Sequence, residues 1–465
     1  MFTSGPVSRR RFLHLAAGAS TAAMLSACGA SSPQAPQIGG GASSAPTAAP
    51  AASTGGASTG GSGTVYTLAD KTWLDVGMLE ATKHYNTANK GGAQIALEEV
   101  ADGWDTKVLA QVRDKSLRWS GHGYAAFFDQ YRYIKAGLVQ PIDDYLKASK
   151  IPWAQKQKDI YFTPRIYDAL LFEGKQYFVP MKANVHLVGW RQDFLELAGY
   201  DTMPKTWDEI DKMLPKMKAA LAKDQVTPFA IQRDLFRCAG TTFTTFIEKP
   251  FDDQGLLKFE SPEWFQVMEM FKKWLDQGLA RLDATADSVD IWQKGKVGMS
   301  LGSHSWVRLG RQIWGPDKIK GGVPPQANAG APPRTWCHID GGFVFPNAPD
   351  GQAANDWLLA ILGPEGAPAE TWWKGVVTFS GSPVHQGMSD KVLKDNKDLT
   401  EVNEVITKAL PNSQVVTIPV AGAYNITAAK MLPWLDRYFA GELSIKEAMA
   451  KTRTEVNEEL AKQKA

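Results

Sequence analysis

The stretch Phe172-Glu173-Gly174-Lys175-Gln176-Tyr177-Phe178-Val179-Pro180-Met181-Lys182-Ala183-Asn184-Val185-His186-Leu187-Val188-Gly189-Trp190 decides how this chain folds. Gln176 to Val179 reads as a strand that runs into Pro180, and Val185 to Trp190 follows at once as a second strand. Toward the N-terminus, Val65 to Leu68 and Gly92 to Glu98 read as strands. Gly103 to Arg118 reads as a helix with Val108, Leu109, Val112 and Leu117 on its inner side, and Phe127 to Ala136 as another, ended by Gly137. Toward the C-terminus, Asp193 to Ala198 is a short helix ended by Gly199, and Trp207 to Ala222 a longer one opened by Thr206, a good N-cap. A helix from Pro262 to Gln277, a helix and strand across Ser288 to Leu301, a strand at Gly342 to Phe345 and a helix from Ala353 to Leu362 follow. Strands alternating with amphipathic helices make α/β material.

About 400 residues, from Val65 to Ala465, are too many for one ordinary core and imply two lobes. The residues before them have another purpose. Arg9, Arg10 and Arg11 precede an apolar run from Phe12 to Ala27 that is too short to span a bilayer, and Leu25-Ser26-Ala27-Cys28-Gly29 matches the bacterial lipobox. Residues 1–27 thus read as an export signal, and Cys28 as a diacylated mature N-terminus that anchors the protein to a membrane. Ser8-Arg9-Arg10-Arg11-Phe12-Leu13 resembles the twin-arginine export pattern, with the general secretory route as the alternative. From Gly29 to Thr64 the chain is nearly all Gly, Ala, Ser, Thr, Pro and Gln, a composition that cannot bury enough surface to fold. Residues 28–64 are then a lipidated cysteine and a disordered tether, with a reach of about 33 Å for a coil of about 36 residues.

The chain carries 51 basic and 49 acidic residues, and loss of the three signal arginines leaves 48 against 49. So even a balance argues against a nucleic-acid partner, which needs a basic stripe. Cys238 and Cys337 enter an oxidising compartment, where they either pair or remain two separate buried thiols. The seven His lack the usual metal-ligand spacing, so neither a metal nor a cofactor is expected.

Several stretches together resemble the bacterial extracellular solute-binding proteins of ABC importers, in the carbohydrate-binding branch that includes maltose-binding protein. Phe172 to Pro180 resembles that family's "G-K-x-Y-x-V-P" segment. Trp190-Arg191-Gln192-Asp193-Phe194 through Gly199-Tyr200 and Pro204-Lys205-Thr206-Trp207-Asp208-Glu209 resembles "Y-N-K-D-L-F…A-G…P-K-T-W-D-E", with Trp190-Arg191 standing in place of Tyr-Asn. Trp292-Gln293-Lys294-Gly295-Lys296-Val297-Gly298-Met299 resembles "F-x-x-G-K-V-A-M", followed by Gly302 and Trp306 near the usual "G-x-W". Gly341-Gly342 and the tail from Gly441 to Ala448 and on to Asn457 complete the set, in the family's order.

The resemblance implies a two-lobed, periplasmic-binding-protein-like α/β fold whose interlobe cleft closes by bending of hinge strands. One lobe would comprise residues 65–181 plus 330–370, the other 182–329 plus 371–465, with hinges at Pro180-Met181 and in the Gly/Pro-rich stretch before Trp336. The implied partners are a carbohydrate ligand and the permease subunits of an ABC importer, with the binding protein itself a monomer. A lipoprotein that presents its ligand to a membrane sensor is the alternative with the same fold.

A sugar offers apolar C–H faces and a rim of hydroxyls, so its site needs flat aromatic platforms beside planar hydrogen-bonding side chains. Of the 16 Trp, Trp264, Trp274 and Trp357 fall at helical spacing and belong to the core. Trp73, Trp104, Trp306 and Trp336 stand near polar residues outside such faces and are the candidate platforms. His122, Asp129, Asn184, His186, Arg233, His304 and Asp340 are the candidate hydrogen-bonding groups. Selectivity would follow because polar groups buried in such a site are satisfied only by the right hydroxyl pattern.

The rival class is a secreted hydrolase. Gly298-Met299-Ser300-Leu301-Gly302 has the G-x-S-x-G form, with Asp340 and His385 downstream in α/β-hydrolase order. The elbow needs a sharp strand-to-helix turn at the serine, whereas Lys296 to Leu301 reads as one unbroken strand. No enzyme activity is therefore expected.

Overall fold

The computed structural model of the protein describes residues 63–464, apart from 101–102, 254, 284–293, 380 and 395–396. The export signal, Cys28, almost all of the tether, and the start of the helix and strand expected across Ser288 to Leu301, Trp292 included, lie outside the described residues.

Twelve strands are formed among the described residues: β1 (Thr64–Ala69), β2 (Gln94–Glu99), β3 (Trp119–Ala125), β4 (Leu171–Phe172), β5 (Lys175–Gln176), β6 (Val179–Arg191), β7 (Thr227–Gln232), β8 (Ala280–Asp283), β9 (Val297–Ser303), β10 (Ile319–Gly322), β11 (Trp336–Val344) and β12 (Gln414–Val415). The main sheet runs β2-β1-β3-β11-β6-β9-β7-β8, with β10 paired to β6 and β12 to β11. Its two wings are parallel, β2-β1-β3 on one side and β9-β7-β8 on the other. The centre, β3-β11-β6-β9, is antiparallel. Parallel strands need helical crossovers, so each wing gathers helices on its own faces and the antiparallel centre joins the two bodies.

The two strands expected on either side of Pro180 are one continuous strand of 13 residues, buried throughout. Proline lacks the N–H that a central strand must donate. The ladder accommodates it at an irregularity: the β11–β6 register shifts between Asp340 and Gly341, and Gly341 lies opposite Pro180.

Two large apolar cores lie on either side of this centre. The first holds Trp73, Trp153, Phe178, Ala183, Val185, Leu187, Phe343, Trp357, Trp372 and Trp373, the second Val188, Trp207, Phe229, Trp264, Phe271, Trp274 and Met299. Trp264, Trp274 and Trp357 are core residues, as their spacing implies. The segment after residue 370, expected with the second lobe, sends Trp372, Trp373, Val376, Val384, Met388, Val402 and Ile406 into the first core. Trp372 packs 5.9 Å from Trp73, and Trp373 Nε1 donates to Gly363 O at 2.9 Å. The second core resumes at Val416 and fills from the helix Ile418–Phe439.

The local signals that hold the second body together are readable. Thr206 caps the helix Trp207–Ala220 by accepting from Glu209 N, while the Glu209 carboxylate accepts from Thr206 N at 3.0 Å. Such a reciprocal cap contributes about 1 kcal/mol. Cys238 lies in the second core and Cys337 in the first, as two separate free thiols that burial pushes up in pKa. Among the described residues, no helix is long and apolar enough to cross a membrane.

Candidate functional site

Strand periodicity of two puts Lys182, Asn184 and His186 on one face of β6, while Ala183, Val185 and Leu187 turn into the first core. On β11, Asp340 lies opposite Lys182 and His338 opposite Asn184. The result is a charged network in the antiparallel centre. Lys182 Nζ lies 3.0 Å from Asp340 Oδ2 and donates to Asn184 Oδ1 at 3.3 Å, and Asn184 Nδ2 donates to Asp340 Oδ2 at 3.1 Å. The other carboxylate oxygen, Oδ1, accepts from Phe127 N at 3.0 Å, and Ser303 Oγ donates to Asn184 Oδ1 at 3.4 Å. Lys182, Asn184 and Asp340 are only 6%, 3% and 2% exposed. A buried pair of this kind adds little net stability, yet it fixes the orientation of every member.

Aromatic rings flank the network. Trp73 lies at the end of the short helix Lys71–Trp73, just before a kink where Gly77 takes φ 152°. Its ring is 5.2 Å from Tyr124 and 5.8 Å from Phe379, and Lys182 Nζ stands 4.9 Å over it. Trp306 lies in the helix His304–Trp314, under the Arg237 guanidinium at 5.6 Å. Its ring rests on Gly302, where a Cβ would stand 2.6 Å from Trp306 Cε3.

Acidic groups complete the arrangement. Asp70 follows the carboxyl end of β1; burial, with a smaller push from Asp129, raises its pKa to about 6 against the pull of a backbone hydrogen bond. Burial also raises Asp129, which Arg132 offsets from 3.0 Å, with Asp340 adding to the rise. Tyr124 is pushed well above its ordinary value by burial and then by Asp340, Asp70 and Asp129. These groups therefore share one electrostatic neighbourhood. Rings beside carboxylates, an amide and an ammonium suit a ligand with both flat apolar faces and many hydroxyls.

Of the residues singled out by sequence, this arrangement brings together Trp73, Asn184 and Asp340, with Asp129 in the same electrostatic neighbourhood; His186 lies on the same face of β6, and His304 and Trp306 lie on the helix that follows β9. His186 Nδ1 is 2.7 Å from Thr241 Oγ1, and His304 Nδ1 is 3.2 Å from Val185 O. Four others lie elsewhere. Trp336 is 0% exposed and packs against Phe251 in the second core, so it is no platform, and Trp73, 5% exposed and packed in the first core, presents no open face either. Trp104 covers His122 at 4.4 Å, and the His122 ring stacks on Phe343 at 5.5 Å within the first body. His122 Nδ1 accepts from Tyr124 N at 3.0 Å, and burial lowers this imidazole to a pKa of about 3. Arg233 is exposed and ion-paired with Asp436, beside a cavity of about 20 Å³ that Met268 and Leu435 also line.

Sequence reasoning missed Lys182, Asp70, Tyr124, Arg237 and Phe379. One signal was present: Lys182 is the only charged residue between Val179 and Trp190, and a charge in an otherwise apolar strand needs a partner.

Ser300 lies inside β9, not at a strand-to-helix turn. Its hydroxyl accepts from Gln232 Nε2 at 3.2 Å and is buried. Asp340 is committed to Lys182, and His385 Nε2 lies 2.9 Å from Leu362 O. The two glycines of the G-x-S-x-G stretch have packing reasons: beside Gly302 under Trp306, a Cβ on Gly298 would stand 2.7 Å from Met217 Sδ.

The fold is shared with solved structures. The sugar-binding protein MalE of Xanthomonas citri superposes with a TM-score of 0.70 at 17% identity, covering 86% of this chain and 98% of that one. The GacH receptor of Streptomyces glaucescens, solved unliganded and with acarbose, gives 0.65 at 14% identity over 85% and 99%. The substrate-binding protein Lmo0181 of Listeria monocytogenes, solved with cycloalternan, gives 0.66 at 15% over 86% and 100%. These are two-lobed proteins, and the two cores here correspond to that architecture. In sequence, a binding protein of Brucella abortus (strain 2308) is 23% identical over 177 residues, 36% of this chain and 40% of that relative's length. A Brucella suis relative matches to the same extent. The model of the family of bacterial extracellular solute-binding proteins matches residues 80–410 of the 465, and the chain belongs to that family.

Proposed function

We propose that this protein is the extracytoplasmic receptor of an ABC importer, that its solute is a sugar or oligosaccharide, and that capture occurs by closure of the two lobes over the antiparallel centre. The observation that carries the reading is the Lys182–Asn184–Asp340 network, buried beside the Trp73 ring, over which Lys182 Nζ stands at 4.9 Å. Its polar atoms are held in fixed directions by neighbouring strands, which suits recognition of a fixed hydroxyl pattern. The sugars bound by the MalE and GacH neighbours support the ligand class.

In this reading Cys28 is lipidated, the uncharged tether holds a monomeric receptor near permease subunits in the membrane, and no catalytic step takes place. Thermal unfolding with a panel of mono- and oligosaccharides tests the ligand class. A solute at 100 times its dissociation constant stabilises by about 2.7 kcal/mol. A rise in Tm with a saccharide that Asn184→Ala abolishes is the expected result. A rise with a peptide or polyamine and with no saccharide overturns the assignment. Ester hydrolysis that disappears in Ser300→Ala would overturn the absence of catalysis.

A further inference from the structure

Arg308 is a buried cation without an acidic partner among the described residues. It lies on the buried face of the helix His304–Trp314, one turn beyond His304, and is 2% exposed. Its Nη1 donates to Gly381 O, while Nε and Nη2 have no hydrogen-bond partner among the described residues. These two nitrogens share one edge of the guanidinium, whose parallel N–H groups match the two oxygens of a carboxylate. Elsewhere in the chain that edge is used in this way. Arg191 presents Nε and Nη2 to the two oxygens of Asp193 at 2.8 and 2.6 Å, and Arg233 presents the same pair to Asp436. The neighbouring cations are also paired, Lys182 with Asp340 and Arg311 with Glu401 at 2.8 Å. Burial, followed by Arg311, draws the Arg308 pKa down to about 9, which leaves it charged at neutral pH. A whole charge in dry surroundings is unfavourable until an anion meets it.

The neighbours of Arg308 tie it to the Lys182–Asn184–Asp340 network. Gly381 lies against the lysine stem, where a Cβ would stand 3.0 Å from Lys182 Cδ, so the carbonyl that accepts from Arg308 sits beside Lys182. The next residue, Ser382, exchanges backbone hydrogen bonds with Ala183 on β6, and its Oγ is 3.4 Å from His304 Nε2. Two residues before Gly381, the exposed Phe379 meets Trp73 edge-on at 5.8 Å, and Lys182 Nζ stands 4.9 Å over the same indole. Arg308 and Lys182 both push the His304 pKa down, as near neighbours must. Phe379, Gly381 and Ser382 thus link ring, ammonium, guanidinium and imidazole.

Resting on the sugar-receptor reading, we propose that the solute is an acidic saccharide, a sugar bearing a carboxylate such as a hexuronate, and that Nε and Nη2 of Arg308 hold that carboxylate while the Lys182–Asn184–Asp340 network holds hydroxyls. The charge count selects a carboxylate over a phosphate. Lys182 is neutralised by Asp340, so Arg308 offers one positive charge and two parallel donors, the complement of a singly charged planar group. A phosphate monoester carries about two charges at neutral pH and would be only half neutralised in a dry site. A neutral sugar leaves both N–H groups without an acceptor, and that loss is the source of selectivity for the acid.

Calorimetric titration of the purified protein at pH 7.5 compares glucuronate and galacturonate, with their di- and trisaccharides, against the matching neutral sugars, the methyl esters and glucose 6-phosphate. The ester keeps the shape of the acid and removes its charge. At least one uronate is expected to bind ten times or more tighter than its neutral counterpart and its ester. Arg308→Gln is expected to abolish that preference, and Arg308→Lys, which keeps the charge without the paired donors, to retain only part of it. An ester that binds as well as its acid overturns the proposal, as does parent-strength uronate binding in Arg308→Gln or tighter binding of the phosphate than of every uronate. If Arg308→Gln does not fold, the comparison of acid with ester on the parent protein decides. Neutral saccharides bound as tightly as the acids overturn the carboxylate site and leave the sugar receptor standing. Lactate or succinate bound through Arg308, with no saccharide of either kind, refutes the sugar and leaves the carboxylate site standing.

Discussion

The second core and the antiparallel centre are equally dry and chemically opposite. In the core, Trp264, Val267, Met268, Phe271 and Trp274 form one face of the helix Pro262–Asp276, and Phe243 meets Trp264 edge to face at 5.3 Å. In the centre, Lys182, Asn184 and Asp340 are also buried but are joined by charge and hydrogen bonds. Removal of apolar surface from water stabilises the first directly. The second carries the desolvation cost of two charges and returns directional order, the property a recognition site requires. Burial alone therefore does not separate scaffold from site; the chemistry of the buried atoms does.

The comparison breaks most sharply in the core. Phe271→Ala is expected to lower stability by about 3–5 kcal/mol, read by urea unfolding, because it leaves a cavity as well as losing burial. A loss under 1 kcal/mol would mean that this region is not close-packed. Next is Asp340→Asn, which strands the Lys182 ammonium and should cost about 3 kcal/mol, whereas Lys182→Met/Asp340→Leu should recover most of that stability yet fail to bind solute. Recovery of stability and binding together would show that the network has no recognition role.

A smaller effect is expected at Asp70, whose folded pKa of about 6 exceeds its ordinary value of 3.8. The folded protein holds that proton more tightly, so the penalty for ionising Asp70 appears as pH rises from 3.8 through about 6 and is complete above it. Asp70→Asn should then raise stability by about 2–3 kcal/mol at pH 7.5 and leave it unchanged at pH 3.5. The smallest effect belongs to the surface: Arg233→Ala, which removes an exposed pair with Asp436, should change stability by less than about 0.5 kcal/mol and leave solute affinity intact. Loss of affinity there would return Arg233 to the site.

Local pattern carried the elements well and the contacts unevenly. Thr206 announced the helix Trp207–Ala220 because its cap is chemistry between residues three apart. Trp264, Trp274 and Trp357 were legible as core because helical spacing fixes a face. Pro180 misled, since the irregularity that admits it lies on another strand, at Gly341. Trp336 misled in a different way: its neighbours His338 and Asp340 are polar, yet its own ring reaches Phe251, far along the chain. Asn184 and Asp340 were identified as ligand candidates, but their common partner Lys182 was not, because their meeting depends on the β6–β11 register, which no local pattern specifies. Trp104 and His122 stand close to each other, as two candidates might, but inside the first body.

The most direct measurement is a calorimetric titration of the purified protein with mono- and oligosaccharides, repeated with Asn184→Ala. Saturable one-to-one binding of at least one saccharide is expected, weakened at least tenfold by the substitution, while the variant unfolds within a few degrees of the parent. Saccharide binding of equal strength in both proteins would place the site away from the antiparallel centre and contradict the account.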